Sequence, residues 1–293
     1  MIRVAQCLTS SVSSIGRAYR LGGDEFCALL DTTLHPADTI DGAAQAMCEH
    51  GRGFTIGASY GIVSIPDDAE DLTTALRVAD TRMYVKKNRT RAATLIAQTR
   101  DVLLRATAEH SDDLYEHMLE VGKLARDVGR RLGLDAELLD LTLRTGELHD
   151  VGKVAIPASV LNKPGPLTDD EWRLIRSHTV IGERILNAAP ALHAVAKLVR
   201  FTHERYDGSG YPDGLSGQAI PLPSRIVFAC DSFHAMVSRR SYAPGMPDAQ
   251  ARQELTRCAG TQFDPLVVEA LLTELAHRDR APVDEAPSTA RET

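Results

Sequence analysis

Six side chains of metal-ligating type run through the C-terminal two-thirds of the chain: His117, the adjacent pair His149-Asp150, His178, His203 and Asp231. A single histidine is more often a surface or hydrogen-bonded residue than a ligand, so the set carries more weight than any member. Such a set suits phosphodiester hydrolysis. That reaction needs a nucleophilic hydroxide at neutral pH and positive charge beside the phosphoryl oxygens, and two metal ions roughly 3.5–4 Å apart supply both. A carboxylate can bridge two ions with one oxygen each while imidazoles complete the shells. Asp150, beside His149 on what reads as one helix, has the character of that bridge. Lys153 follows about one helical turn later. From there a cation can hold a phosphate oxygen or protonate a leaving alkoxide.

The elements that must position these groups are mostly helical. His117 falls in a stretch, 94–132, compatible with helix throughout, with Leu103, Leu104, Leu114, Met118, Val121 and Leu124 as its apolar stripe. Ser111 and Asp112 can cap a new helix there, which places a domain junction near them. Thr168 with Glu171 predicts a capping box opening a helix that carries His178. Loops are expected at 156–167 and 205–225, and Trp172 reads as a core residue. Nearer the N-terminus, short apolar runs at 18–21 and 26–30 flank Gly22-Gly23-Asp24-Glu25, a hairpin signal. Residues 36–50 read as helix, 54–65 as a strand pair, and 70–87 as a helix with Leu72, Leu76, Ala79 and Met83 on one face. Residues 281–293 lack periodicity and predict a disordered tail. The fold class expected is α+β and multi-domain: a partial α/β sheet domain over 1–96, a helical linker over 97–111, and an all-α domain over 112–280.

The bulk numbers agree with that plan. The chain has 293 residues, 43% of them hydrophobic and 25% charged, which is ordinary for a globular protein. A net charge of -7 argues against coating DNA or RNA. It leaves room for a small anionic substrate, because bound metal ions reverse the local field. The five cysteines, Cys7, Cys27, Cys48, Cys230 and Cys258, form no CxxC pair, so neither a zinc ribbon nor a disulfide framework is indicated. They suit a reducing compartment. No apolar run approaches the roughly 18 residues that span a bilayer, and no basic segment leads into an apolar one at the N-terminus. A cytoplasmic protein with no membrane partner is the expectation.

The run Leu148-His149-Asp150-Val151-Gly152-Lys153, with Ile156-Pro157 after it, resembles the motif of HD-domain phosphohydrolases. The later run His203-Glu204-Arg205-Tyr206-Asp207-Gly208-Ser209-Gly210-Tyr211-Pro212 resembles the signature of their HD-GYP subfamily. Leu161-Asn162-Lys163-Pro164-Gly165, Ile220-Pro221-Leu222-Pro223-Ser224-Arg225-Ile226 and Gly260-Thr261-Gln262-Phe263-Asp264-Pro265 support it, in order, over roughly 112–275. The resemblance implies an all-helical fold and cleavage of cyclic di-GMP to pGpG or GMP at a centre of one, two or three divalent ions, commonly iron or manganese. By position it implies His117, His149, Asp150 and Asp231 as ligands of a first metal, and Asp150, His178 and His203 as ligands of a second. Lys153 and Arg240 match substrate-contacting residues, and Gly210 and Tyr211 belong to the loop that receives the nucleotide. Asp113 stands where three-metal members carry a glutamate.

Three positions depart from the subfamily pattern. Thr202 stands where a further histidine is usual, His234 where a second aspartate is usual, and Ala243 where a basic residue is common. Loss of an imidazole at Thr202 is expected to weaken the second metal, unless His234 reaches the site and compensates. Two other readings therefore stay open: a module that binds cyclic di-GMP or a partner without turnover, and a general HD nucleotide phosphohydrolase. A homodimer or a GGDEF-domain protein is the candidate protein partner.

Arg20-Leu21-Gly22-Gly23-Asp24-Glu25-Phe26 resembles the signature hairpin of GGDEF diguanylate cyclases, with Ser59-Tyr60-Gly61-Ile62 and Ala79-Asp80-Thr81-Arg82-Met83-Tyr84 resembling later segments. The strand on which that family carries a metal-binding aspartate has no counterpart here, and Ser13 and Gly16 occupy the family's inhibitory-site positions. The resemblance thus implies a docking or regulatory unit that does not itself make cyclic di-GMP.

Overall fold

The computed structural model describes residues 2–31, 36–51, 54–238 and 245–280. The chain divides into two compact units, Met1–Thr94 and Leu95–Thr293. Calls that fall at Arg239, Arg240 and Ala243 and in the 281–293 tail lie outside the described residues.

In the first unit, α1 (Ile2–Val12) precedes a hairpin of β1 (Gly16–Gly22) and β2 (Glu25–Leu30). The strands pair antiparallel with Arg17 opposite Leu29 and Tyr19 opposite Cys27. Gly23 turns the chain with φ +49°, a conformation that a side chain disfavours. Leu8 and Val12 of α1 bury with Ala43 of α2 (Pro36–Ala46), and Phe26, Ala28 and Leu30 pack against them. A second antiparallel pair joins β3 (Glu49–Gly51) and β4 (Phe54–Ile56). The expected strand pair over 54–65 is therefore displaced: only 54–56 is strand, its partner lies before it, and 57–70 has no regular structure. Small and polar residues there give no alternating apolar face to bury. The helix expected from residue 70 is α3 (Leu72–His110), within which the division between units falls.

The elements of the second unit are all helices among its described residues, with one isolated β-bridge between Ala259 and Phe263. Ser111 caps α4 (Asp112–Arg131), its hydroxyl accepting from the Leu114 amide at 3.3 Å. Met118, Val121, Leu124, Ala125 and Val128 are buried at helical spacing along α4. Two cores use that face. One gathers Leu104, Met118, Leu148 and Leu186 with Val195 and Val199; the other joins α4 to α10 (Leu222–Val237), α11 (Asp248–Arg257) and α12 (Pro265–Arg280). Gly122 of α4 and Gly146 of α5 (Ala136–Leu148) sit back to back: a Cβ on Gly146 would come within 2.6 Å of the Gly122 Cα. Glycine at both positions lets the two backbones approach closely enough to bring His117 and His149 together.

Two expected helices are broken. α5 ends at Leu148, and a 3-10 turn, Val151–Ala155, follows Asp150, so His149 and Asp150 lie at a junction and not inside one helix. The capping box of Thr168 and Glu171 is present and opens α7 (Asp169–Arg176), but Ser177 ends that helix and His178 begins α8 (His178–Asn187). A short helix, α6 (Ala158–Leu161), interrupts the first expected loop, and a 3-10 turn, Gly217–Ala219, the second. Trp172 is 46% exposed and not in the core, because α7 keeps one face to solvent.

Candidate metal centre

Five chain segments converge on one point between the two cores. α4 brings His117, the end of α5 with the junction after it His149 and Asp150, the start of α8 His178, and α10 Asp231. His203 arrives just after α9 (His193–Arg200). The ligand atoms of His117, His149 and Asp150 lie within 4.8 Å of one another, and so do those of Asp150, His178 and His203. Asp150 is common to both groups and divides its oxygens between them. Its Oδ1 is 3.3 Å from His178 Nε2; its Oδ2 is 3.3 Å from His149 Nε2 and 4.0 Å from His117 Nε2. Asp231 Oδ1 closes the first group, 3.0 Å from His117 Nε2 and 3.7 Å from His149 Nε2.

Backbone carbonyls orient the rings. Gly146 O accepts from His149 Nδ1 at 2.8 Å and Ile175 O from His178 Nδ1 at 2.6 Å. A carbonyl only accepts, so each Nδ1 carries a proton and each Nε2 is the atom turned inward, the arrangement metal-binding histidines use. The turn glycine Gly152 tightens the centre: a Cβ there would fall 2.0 Å from the His178 carbonyl oxygen, so only glycine lets the Asp150 turn meet α8.

Burial and charge define what this cluster can hold. Burial by itself would raise the carboxyl of Asp150, yet His149 and Lys153 hold it well below the usual range; Asp231 is held down likewise by His117 and His149. His203 is pushed down to about 3, mainly by burial, and His178 is lowered for the same reason. Burial opposes charge on His149 too, but Asp150 and Asp231 outweigh it and raise that ring to about 10. Two ionised carboxylates thus share the pocket with a cationic His149 and with the neutral imidazoles of His178 and His203. His149 Nε2, Asp150 Oδ1, His178 Nε2 and His203 Nε2 are buried without a hydrogen-bond partner among the described residues. Buried polar atoms are ordinarily paired, and imidazole nitrogens with carboxylate oxygens are the donors divalent transition metals take. The residues present therefore fit such an ion in either group.

The remaining expected site residues fall at graded distance. Lys153 Nζ donates to Asp150 Oδ2 although the two are joined by a turn and not a helix. Tyr211 stacks on His203, centroids 5.2 Å apart and planes 7° from parallel. Gly210 packs under the loop, where a Cβ would come within 2.2 Å of the Arg205 amide nitrogen. His234 does not reach the second group: its Nδ1 lies 2.8 Å from His117 Nδ1, with Ser238 Oγ at 3.0 Å. It supports His117 from behind, so it offers no substitute for the imidazole missing at Thr202. Thr202 is buried, and its hydroxyl donates to the Val199 carbonyl at 2.9 Å. Asp113 is exposed, and no hydrogen bond or ion pair among the described residues ties it to the cluster.

Glu204 is a buried acid that residue types and spacing did not single out. It is 1% exposed, and its Oε1 accepts from the amides of Asp213 at 2.7 Å and Gly214 at 3.1 Å. That clamp folds the 203–214 loop back on itself beside His203. Tyr206 and Asp207 donate their amides to Gln262 and Thr261, and Arg225 pairs with buried Asp264. These contacts explain the separate 220–226 and 260–265 stretches as anchors of the same loop.

Residues 90–267 match the family model described as HD domain, and residues 1–93 match that of the diguanylate cyclase, GGDEF domain. The chain is 39% identical over 173 residues to a cyclic di-GMP phosphodiesterase of Thermotoga maritima, covering 58% of this chain and 47% of that protein. It is 40% identical over 172 residues to the 3'3'-cGAMP-specific phosphodiesterase 2 of Vibrio cholerae serotype O1, covering 58% and 33%. It is 44% identical over 147 residues to the cyclic di-GMP phosphodiesterase response regulator RpfG of Xanthomonas campestris pv. campestris, covering 50% and 39%. The chain thus spans less than half the length of each of these relatives.

Proposed function

The chain belongs to the HD-domain family, and on that premise we propose that it is a metal-dependent phosphodiesterase that hydrolyses cyclic di-GMP to pGpG or GMP. The observation that carries this reading is Asp150, whose two oxygens face two separate donor groups. His117, His149, Asp150 and Asp231 would hold one divalent ion, and Asp150, His178 and His203 a second, with iron or manganese suiting the mixed nitrogen and oxygen donors. Such ions, when bound, supply positive charge at phosphoryl oxygens and lower the pKa of the attacking water.

The chain's own residues then have separable tasks. Asp150 and Asp231 stay ionised and balance the cationic charge. Lys153, its side chain 26% exposed, hydrogen-bonds Asp150 and presents its ammonium to a phosphate oxygen or to the departing 3′-oxygen. Tyr211 shields His203 from water and forms the wall against which a base can lie. Glu204 holds that wall in place. Arg240 is a further nucleotide contact in this proposal. A cytoplasmic setting belongs to the same reading: the five cysteines are free thiols, and among the described residues no helix is long and apolar enough to cross a membrane.

The test is to purify the protein without chelators, measure metal per chain, and follow cyclic di-GMP by chromatography. Appearance of pGpG or GMP in proportion to bound metal is the expected result. Protein carrying stoichiometric iron or manganese that binds the nucleotide and leaves it intact overturns the enzymatic reading in favour of a binding module.

A further inference from the structure

One array of side chains leads outward from the centre and has no task above. Tyr211 lies flat on His203. The guanidinium carbon of Arg176 stands 5.5 Å from the Tyr211 ring centroid and 5.7 Å from that of Trp172. Trp172 and Arg176 are four residues apart on α7 and so share one of its faces. The order in space runs from the half-buried His203 ring, through Tyr211 and Arg176, to an indole that is 46% exposed. Neighbouring cations on this stretch are paired, Arg173 with Asp170 and Lys163 with Glu171. The Arg176 guanidinium has no hydrogen bond or ion pair among the described residues. A guanidinium held near ring faces by cation–π attraction still has its N–H donors to offer, so Arg176 can meet the edge of a flat ligand.

Exposed aromatic faces stack on nucleobases, and an arginine fork recognises O6 and N7 of guanine, where adenine presents a donor instead of the O6 acceptor. We infer that Trp172 and Arg176 form a guanine-binding step beside the metal centre. Trp172 stacks on one base of the substrate, and Arg176 donates to its O6 and N7. The step selects cyclic dinucleotides that carry guanine over those that carry only adenine. This inference rests on the phosphodiesterase reading and specifies the base that its substrate must present.

Trp172 is the only tryptophan of the chain, so its emission reports this step alone. Metal-loaded protein is titrated with a hydrolysis-resistant phosphorothioate analogue of cyclic di-GMP, and with the corresponding cyclic di-AMP analogue, by calorimetry and by tryptophan fluorescence. The emission is expected to change with the same midpoint as the heat. Trp172→Leu should weaken calorimetric affinity at least about fivefold, the lower end of what one lost base stack costs. Arg176→Met should reduce the preference for guanine roughly tenfold. Both variants should keep the metal content of the parent. Heat without a change in emission, or a Trp172→Leu variant that binds as tightly as the parent, overturns the inference and leaves the phosphodiesterase reading standing. Loss of metal in either variant also overturns it, because the pair is then structural. No heat with either analogue overturns both readings together.

Discussion

The Gly22-Gly23-Asp24-Glu25 turn and the His149-Asp150 pair are both short motifs with carboxylates at a break between two elements, yet their surroundings differ. Asp24 and Glu25 are exposed at the tip of a two-stranded hairpin, whose turn is tied down by Arg20 donating to the Gly23 carbonyl at 2.7 Å. Asp150 is fully buried, faces three imidazoles, and is reached by Lys153. Charges in a dry interior interact far more strongly than charges in water. The same carboxylate is therefore a solvated group in one unit and a candidate ligand in the other. A motif supplies residue types; enclosure by several segments supplies the field that makes them bind.

The largest effect expected from breaking this contrast is at Asp150. Asp150→Asn keeps the shape and removes the charge that both donor groups share. Metal affinity and cyclic di-GMP turnover should each fall by more than about 100-fold, beyond what an outer partner costs. Elemental analysis and chromatography on the same preparation measure both, and a variant with full metal content would show that Asp150 is not the shared ligand.

Next comes Gly152→Ala, which attacks enclosure and leaves every candidate ligand unsubstituted. The added Cβ would meet His178 O at 2.0 Å and Gly182 N at 2.7 Å, so backbone must move. Overpacking of this kind costs about 1–3 kcal/mol. Melting should shift down, and metal bound by the Asp150, His178 and His203 group should fall up to about 100-fold as His178 moves away.

A gain is expected from Thr202→His. The second group has three protein donors, and His234, bonded to His117, does not add a fourth. An imidazole at 202, turned from the Val199 carbonyl toward the group, should raise affinity for the more weakly held ion by roughly tenfold. A companion His234→Ala variant should loosen His117 and lower retention of the other ion. If His234→Ala removes the weakly held ion and Thr202→His changes nothing, the division into two groups is wrong.

The smallest effect is the sharpest control. Asp24→Asn with Glu25→Gln alters exposed groups that no core surrounds. Stability should stay within about 0.5 kcal/mol, and metal content should not change. A double variant that loses metal would erase the contrast between the two units.

Much of the helical unit was legible because its signals are local. The α4 stripe from Met118 to Val128 has a helix period, and the hydroxyls of Ser111 and Thr168 cap helices wherever backbone amides would otherwise go unpaired. The breaks were not legible. Nothing in the apolar pattern shows that α5 stops at Leu148 or that Ser177 separates two helices, because tertiary packing of the Asp150 turn against α8 imposes both. The same holds for Trp172, whose type suggests a core but which is 46% exposed on α7.

The order and kind of the ligating residues, the GYP loop and the hairpin were determined by the sequence itself, since each is a matter of residue type at a spacing. The tertiary structure decided which atoms meet: that Asp150 turns one oxygen to each donor group, that His234 backs His117 instead of serving the second group, and that Arg176 stands between two aromatic rings. Those outcomes depend on how closely five separate segments approach. For α4 against α5, and for the Asp150 turn against α8, that approach is set by glycines at 122, 146 and 152, where a single methyl group would hold the backbones apart.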